Sequence, residues 1–573
     1  MRVQLTGHGA SRGSALGRAR VRLPHVLEVT EQRIAASAVE KEVARLREAV
    51  DSTRGEMHTL REKLHGALAK EVGEFLDLHA LLLDDPELLS GLHELIRTGR
   101  YSADYALRLQ RDRLAAVFEQ MDDPYLRSRM DDLDHVIGRI HAHLHKRTGG
   151  PEGLAGEILI CDNVAPSELA QLQAQGVVAI VTAAGSTLSH SAILARSLHL
   201  PLIVGAAHAL LKINDGDALT VDGISGLVIV EPDADDLRHY RQRLRNVARE
   251  QRDLDSLRDK ATRTRDGTDI ALLANAESQE DIARAHALGA NGLGLYRTEF
   301  LFLQRQELPD EEEQFRTYRD AVLGMSGRPV TIRTLDLGAD KADRTGLVMD
   351  REDNPALGLR GVRLSLANNA LFDTQLRAMV RASGYGPVRV LVPMVSSREE
   401  ILTVRRKLKR ISRELRSHGH EIAEHLPLGA MIEVPAAAIA MHGFIDLVDF
   451  VSVGTNDLVQ YLLAADRNND ALGELYSPLH PGVIRLLRHI ITTGIEHRIP
   501  VAVCGEMAGD PMMTPLLLAL GLCEFSLHPA TLLEVRKVVR DVDLPALRAR
   551  GPKLLQARDR AGIERWLKTC AQR

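Results

Sequence analysis

The 573-residue sequence predicts a multidomain α/β protein, with a C-terminal (β/α)8 TIM barrel and an N-terminal α/β domain that carries an inserted α-helical bundle. Three observations predict it. Eight strand-like apolar runs alternate with helical stretches beyond residue 263, five shorter runs do so between 147 and 234, and residues 31–146 keep helical spacing throughout. Eight strand-plus-helix units over about 280 residues fit a barrel, whose active site lies at the C-terminal strand ends. A doubly wound sheet is the rival, and the count of eight favours closure.

Taken in order, residues 1–30 contain VQLTGHGASRGSALGRARV, which completes the α/β domain from a distance. Residues 31–146 hold the helical patterns SAVEKEVARLREAVDSTRGEMHTLREKL, EFLDLHALLL, YSADYALRLQRDRLAAVFEQM and LDHVIGRIHAHL. Asp85-Pro86 and Asp123-Pro124 read as N-caps with proline in the first turn. After Gly149-Gly150-Pro151 the pattern changes to EILICD, GVVAIVTA, PLIVGA, DALTVDG and GLVIVEP, the strands of residues 147–234. Residues 235–262 are highly charged at helical spacing and read as a connecting helix. Residues 263–573 carry the barrel runs DIALLANA, ANGLGLYRT, PVTIRTLDLG, VRVLVPMV, PLGAMIEVP, LVDFVSVGTND, IPVAVCGE and CEFSLHP, followed by C-terminal helices.

Composition excludes several classes. At 45% apolar the chain can build real cores, which excludes wholesale disorder. A net charge of −5 without a basic stretch, and only 3% aromatics, argue against a nucleic-acid binder. The N-terminus lacks an apolar signal core, and the longest apolar run, Met512 to Leu522, is about half a membrane span. Cys161, Cys504, Cys523 and Cys570 show neither CxxC spacing nor a dense framework. The expectation is a cytoplasmic protein without membrane insertion or disulfides.

The strand ends collect Arg297, Arg333, Glu433, Asn456, Asp457 and Cys504. These converge on one mouth if the barrel closes. Arg297 and Arg333, with Arg360 and Arg467 in following loops, suit a ligand with more than one negative group, because guanidinium groups bind anions in bidentate fashion. Glu433 and Asp457 follow adjacent strands and suit two oxygen ligands of Mg2+; the alternative is that each caps the next helix. Cys504 ends a strand and could act as nucleophile or proton donor, or be a buried structural cysteine. His190, in GSTLSHSAILARSLHLPLIVG, sits at or near a helix N-terminus, where free amides and the helix dipole would stabilise a phosphate carried on the imidazole. It could equally cap that helix, and Arg196 could pair the phosphate or face solvent.

These segments match a known pattern. GSTLSHSAILARSLHLPLIVG resembles the phosphohistidine signature of the phosphoenolpyruvate-utilising enzymes. GLGLYRTEFLF, TIRTLDLGADK, NPALGLRGVR, MIEVPAA, DFVSVGTNDLVQYLLAADR and VCGEMAGD resemble the barrel motifs of the phosphoenolpyruvate-protein phosphotransferases, the enzyme I group of the sugar phosphotransferase system. The likeness spans nearly the whole chain in order, from ASRGSALG onward.

The resemblance implies that residues 1–30 and 147–234 form the phosphohistidine domain, that 31–146 dock the phosphocarrier protein HPr, and that the barrel binds phosphoenolpyruvate. It implies that His190 takes the phosphoryl group of phosphoenolpyruvate and passes it to HPr. It assigns Arg297, Arg333, Asn456, Asp457 and Arg467 to substrate, Glu433 and Asp457 to Mg2+, and Cys504 to protonation of the departing enolate, which reverses the structural reading of that cysteine. A homodimer through the barrel is also implied. Because His190 lies in another domain, a swivel on the charged connector is expected. The acidic pairs Asp84-Asp85, Asp122-Asp123 and Asp131-Asp132 could steer a basic carrier or simply cap helices.

The chain departs from the family pattern in four places. Gly185, Ser186, Thr187, Leu188 and Ser189 replace the usual GG-basic-TS before the histidine, Gly338-Ala339-Asp340-Lys341 replaces GGDK, Leu359 stands for a frequent tryptophan, and ASRGSALG lacks a proline. None removes a proposed catalytic group. An ATP-linked relative, of the phosphoenolpyruvate synthase or dikinase kind, is the nearest alternative, but no glycine-rich nucleotide domain stands ahead of His190. A non-catalytic regulatory relative is the other, and retention of the whole residue set argues against it.

Overall fold

The computed structural model describes residues 2–22, 30–63, 79–119, 129–145, 154–164, 166–186, 189–198, 200–303, 307–338, 352–467, 472 and 475–571. Two compact units divide the chain, Met1–Ala248 and Arg249–Arg573.

The first unit has an eight-stranded sheet in the order β1-β8-β7-β3-β4-β5-β6-β2. Its strands are β1 Val3–Thr6, β2 His8–Ser11, β3 Ser14–Val21, β4 Glu157–Cys161, β5 Ala179–Thr182, β6 Leu202–Val204, β7 Ala218–Asp222 and β8 Leu227–Val230. The first 21 residues thus supply three strands to a sheet whose other strands lie beyond residue 156. Between β3 and β4 come α1 Val39–Lys63, α2 Pro86–Arg97, α3 Ala103–Glu119 and α4 Arg129–Leu144. Helix α1 buries Val43, Leu46, Val50 and Met57, one face at three- and four-residue steps. Asp85 caps α2 by accepting from the Glu87 amide at 2.8 Å, with Pro86 as its first residue. The corresponding Asp123-Pro124 reading lies outside the described residues. The bundle's apolar faces share one core with Leu159, Ile180 and Leu194 of the α/β part, while Ile158, Val181 and Val221 fill the opposite face of the sheet. Two further helices of the α/β part are α5 Pro166–Ala174 and α6 His190–Ser197.

In the second unit the eight runs read from the sequence are eight parallel strands of a closed barrel. They are β9 Ala271–Ala276, β10 Leu293–Tyr296, β11 Val330–Arg333, β12 Val388–Val392, β13 Leu428–Ile432, β14 Phe450–Val453, β15 Val501–Val503 and β16 Glu524–Leu527. Helices on the outside seal it, and a small internal cluster of Leu295, Leu391, Met431, Phe450 and Cys504 fills the lumen. Within the stretch 235–262 read as a connecting helix, the helix is α7 Ala234–Asp255, exposed and with no buried residue, and residues 256–262 are turn and irregular backbone.

Among the described residues no helix is long and apolar enough to cross a membrane. All four cysteines are free, with Cys161 and Cys504 buried.

Candidate active site

Closure of the barrel brings the C-terminal strand ends together. Arg333, the last residue of β11, has a side chain only 11% exposed and donates to Glu299 Oε1 at 3.0 Å. The same carboxylate oxygen accepts from the Asp336 amide at 2.9 Å, and Asp336 Oδ2 lies 3.3 Å from Arg333 Nη1. Arg360 then forms a two-pronged pair with Asp336, at 3.1 and 2.9 Å. Its Nη2 also lies 3.8 Å from Asp457 Oδ2, and Arg467 Nη1 lies 4.0 Å from Asp457 Oδ1. One chain of alternating charge therefore links β11 with the start of the helix after β14. Burial works against the charge on Arg333 and Arg360; carboxylates more than offset it, Glu299 first for Arg333 and Asp336 first for Arg360, and hold both guanidinium groups above their usual range.

Glu433 follows β13 and is 1% exposed. Its Oε1 accepts from the Met394 amide at 2.6 Å, whereas its Oε2 is buried without a hydrogen-bond partner. Burial, then the charges of Asp336 and Asp457, push this carboxyl well above the usual carboxylate range. Asp457 lies in the first turn of α8 Thr455–Leu463, just beyond the adjacent strand β14. A buried carboxylate with one vacant oxygen, beside a second carboxylate, fits a hard divalent cation: the donors are all oxygen, and a cation would offset the charge that the site otherwise disfavours. Neither residue caps its following helix: the helix after Glu433 and α8 both start without a side-chain cap bond.

Close approach of backbones makes the mouth possible. At Gly361, with φ +56°, a Cβ would sit 2.8 Å from the Met394 side chain and 3.3 Å from Asp336 Oδ1. At Gly505 it would meet Thr455 Oγ1 at 1.8 Å. Either position needs glycine.

Cys504 follows β15, and its thiol donates to the Val453 carbonyl at 3.4 Å. It is 4% exposed, at the top of the internal cluster whose Met431 sulfur lies 3.8 Å from Arg333 Nη1. Burial raises the thiol pKa and Glu433 adds to this, while the neighbouring Ser452 hydroxyl and the charges of Arg333 and Arg297 work the other way. The thiol therefore keeps its proton at neutral pH.

The remaining predicted residues stand further out. Arg297 follows β10, is 44% exposed and pairs with Glu277. Asn456 exchanges two hydrogen bonds of 3.0 Å with Glu506, one to its side chain and one from its amide. The barrel thus brings Arg333, Glu433 and Asp457 into one network with Arg360, sets Arg467 at its edge, and holds Asn456 beside Asp457 in the first turn of α8.

His190 belongs to the other unit, as the first residue of α6. Ser189, not His190, caps that helix, accepting from the Ala192 amide at 3.2 Å. The helix is pinned to its surroundings by Ser191 Oγ on the Val164 carbonyl at 2.6 Å and by Ser11 Oγ on the Ala195 carbonyl at 3.1 Å. Arg196, read as a phosphate partner or a solvent-facing residue, donates to the Ala10 carbonyl at 2.9 Å. Of the stretches singled out as departures, Thr187, Leu188, Ala339, Asp340 and Lys341 lie outside the described residues.

The sequence reading missed Glu299 and Asp336, the carboxylates that organise Arg333 and Arg360. Both stand within motifs that end barrel strands, YRTEF and TLDLG, so their place beyond a strand was the available signal.

Three family models match the chain: the PEP-binding domain of the PEP-utilising enzymes over residues 251–544, their N-terminal domain over 6–129, and their mobile domain over 153–226. A phosphoenolpyruvate-protein phosphotransferase of Cupriavidus necator is 42% identical over 575 residues, covering 98% of either chain. One from Geobacillus stearothermophilus is 40% identical over 92% of both chains, and one from Bacillus sp. is 38% identical over 94% of this chain and 93% of its own.

Proposed function

The chain belongs to the phosphoenolpyruvate-utilising enzymes, and on that premise we propose that it transfers the phosphoryl group of phosphoenolpyruvate to its own His190, releases pyruvate, and passes the group to a histidine of the phosphocarrier protein HPr. The observation that carries this reading is the barrel mouth, where partly buried arginines paired with Asp336 stand with an unpartnered carboxylate oxygen and a buried thiol.

A ring nitrogen of His190 forms the N–P bond as the P–O bond to the enol oxygen breaks. The electron pair leaves with the enolate, whose terminal carbon then takes a proton to give pyruvate. Cys504 suits that donation, because burial keeps its thiol protonated. Arg333 and Arg360 are already desolvated and oriented by Asp336, so they meet a phosphate or carboxylate without reorganising. Arg297 and Arg467, more exposed, close the charge around the ligand's outer groups, and Asn456 fixes the adjoining loop. Glu433 and Asp457 would hold Mg2+, which would offset negative charge on the transferring phosphoryl group. His190 attacks through the lone pair of an unprotonated ring nitrogen.

The helical segment 31–146 is the docking surface for HPr in this reading, the active form is a homodimer through the barrel, and the protein works in the cytoplasm. Labelled phosphoenolpyruvate with Mg2+ should place acid-labile phosphate on the wild-type protein and none on His190→Ala. Labelling that survives that substitution sinks the proposal. Cys504→Ala should slow pyruvate formation by about 10²–10⁴, and full-speed turnover removes the proton-donor role alone.

A further inference from the structure

The helical bundle carries a side-chain cluster that phosphoryl transfer does not use. The last turn of helix α4 and the residue just after it read His141-Ala-His143-Leu-His145, so His141 and His145 are four residues apart and lie on the same side. Asp104, in the first turn of α3, stands opposite. His145 Nε2 lies 2.8 Å from Asp104 Oδ1, and His141 Nε2 lies 3.5 Å from the same oxygen. The two imidazole rings are 4.6 Å apart, and one ligand atom from each of the three residues falls within 4.8 Å of the others.

We propose that Asp104, His141 and His145 form a binding site for a divalent transition-metal ion of the zinc class, clasping α3 to α4. A tetrahedral zinc ion with bonds of about 2.0–2.2 Å holds its ligand atoms about 3.3–3.5 Å apart. The 2.8 and 3.5 Å separations bracket that spacing, so small side-chain rotations complete the geometry. Side-chain exposures of 14% for Asp104, 20% for His141 and 42% for His145 leave an entry path and room for a water as fourth ligand.

Two further features point the same way. Asp104 is braced from behind: Arg45 Nη2 lies 3.4 Å from its Oδ2 and also donates to the Leu144 carbonyl at 3.2 Å, while Arg45 Nη1 pairs with Glu42 at 3.0 Å. That contact engages one carboxylate oxygen and turns the other toward the imidazoles, the orienting role that outer partners play around metal ligands. The histidines also occupy the C-terminal end of α4, where the helix dipole favours a cation.

Ligand type separates this site from the barrel mouth. Two imidazoles and one carboxylate suit zinc-class ions, whereas Glu433 and Asp457 offer oxygen alone and suit Mg2+. His143, between the two ligands in sequence, instead pairs with Glu56 at 2.9 Å and serves as an internal control.

The test is Zn2+ binding to the full chain, by competition with a chromophoric chelator in excess Mg2+, with Co2+ absorption as the spectroscopic counterpart. One equivalent should bind to wild type. Asp104→Asn and His145→Ala should each weaken it by at least about tenfold, and His143→Ala should leave it unchanged. Far-ultraviolet circular dichroism establishes that each variant is folded. The proposal is overturned if wild type binds no zinc, or if the double variant His141→Ala with His145→Ala binds it as tightly as wild type.

Discussion

The two ends of the barrel each bury an arginine and treat it in opposite ways. Beyond the C-terminal strand ends, Arg333 faces Glu299 and Asp336, yet its Nε is buried without a partner. Near the N-terminal ends of β9 and β10, Arg536 is 1% exposed and makes five hydrogen bonds, to Thr262 Oγ1 and to the carbonyls of Leu257, Arg258, Leu288 and Gly289. Burial lowers its pKa, with Arg540 adding to the effect. Buried polar atoms are ordinarily satisfied, because leaving one bare costs about 1–3 kcal/mol. At this end of the barrel several exceptions accompany Arg333: Thr334 Oγ1, Glu433 Oε2 and Thr455 Oγ1 are also buried and unpartnered. The satisfied end holds the fold; the unsatisfied end keeps hydrogen-bonding capacity for something that arrives.

The largest effect should come from the satisfied end. Arg536→Met leaves four carbonyls and a hydroxyl without their donor, and by analogy with breaking a buried charged contact it should cost about 3–5 kcal/mol of stability. Denaturant unfolding measures this, and the rate of phosphoenolpyruvate-dependent labelling per folded molecule should remain that of wild type. A folded, stable Arg536→Met protein that labels slowly would break the contrast.

Arg333→Lys should do the reverse. Lysine keeps the charge between Glu299 and Asp336 but loses the planar fork, and removal of one preorganised donor of this kind slows chemistry by about 10²–10³. Single-turnover pyruvate release gives the rate, and the unfolding midpoint should stay near that of wild type. If the midpoint collapses and the surviving protein still turns over normally, Arg333 is a structural arginine like Arg536.

That asymmetry was only partly legible in the sequence. All eight barrel strands fall inside the eight apolar runs, because parallel strands covered on both faces read as unbroken apolar stretches. Arg333, Glu433 and Asp457 could be picked out because a closed barrel makes the strand end a place of meeting. Glu299 and Asp336 could not, since their role depends on pairing with Arg333 and Arg360, contacts fixed by loop paths and not by local pattern. Arg536 gave no signal: an arginine on an outer helix normally faces solvent, and only three-dimensional packing brings the carbonyls of 257–258 and 288–289 around it. The first 21 residues read as one completing segment, yet form three short strands separated by one or two residues.

The smallest effect sharpens the comparison most. Thr334 follows Arg333, is fully buried, and its amide donates to the Leu391 carbonyl at 2.9 Å while its hydroxyl has no partner. Valine has nearly the same shape without the hydroxyl, so Thr334→Val removes an unsatisfied group and opens no cavity. Replacing a bare buried hydroxyl should therefore stabilise the metal-free, substrate-free protein by about 1 kcal/mol, read as a higher unfolding midpoint. The same change at a hydroxyl with a buried partner would lower the midpoint by a similar amount. A lower midpoint for Thr334→Val would show that the hydroxyl is satisfied after all, and would remove it from the atoms that set this end of the barrel apart from the end built around Arg536.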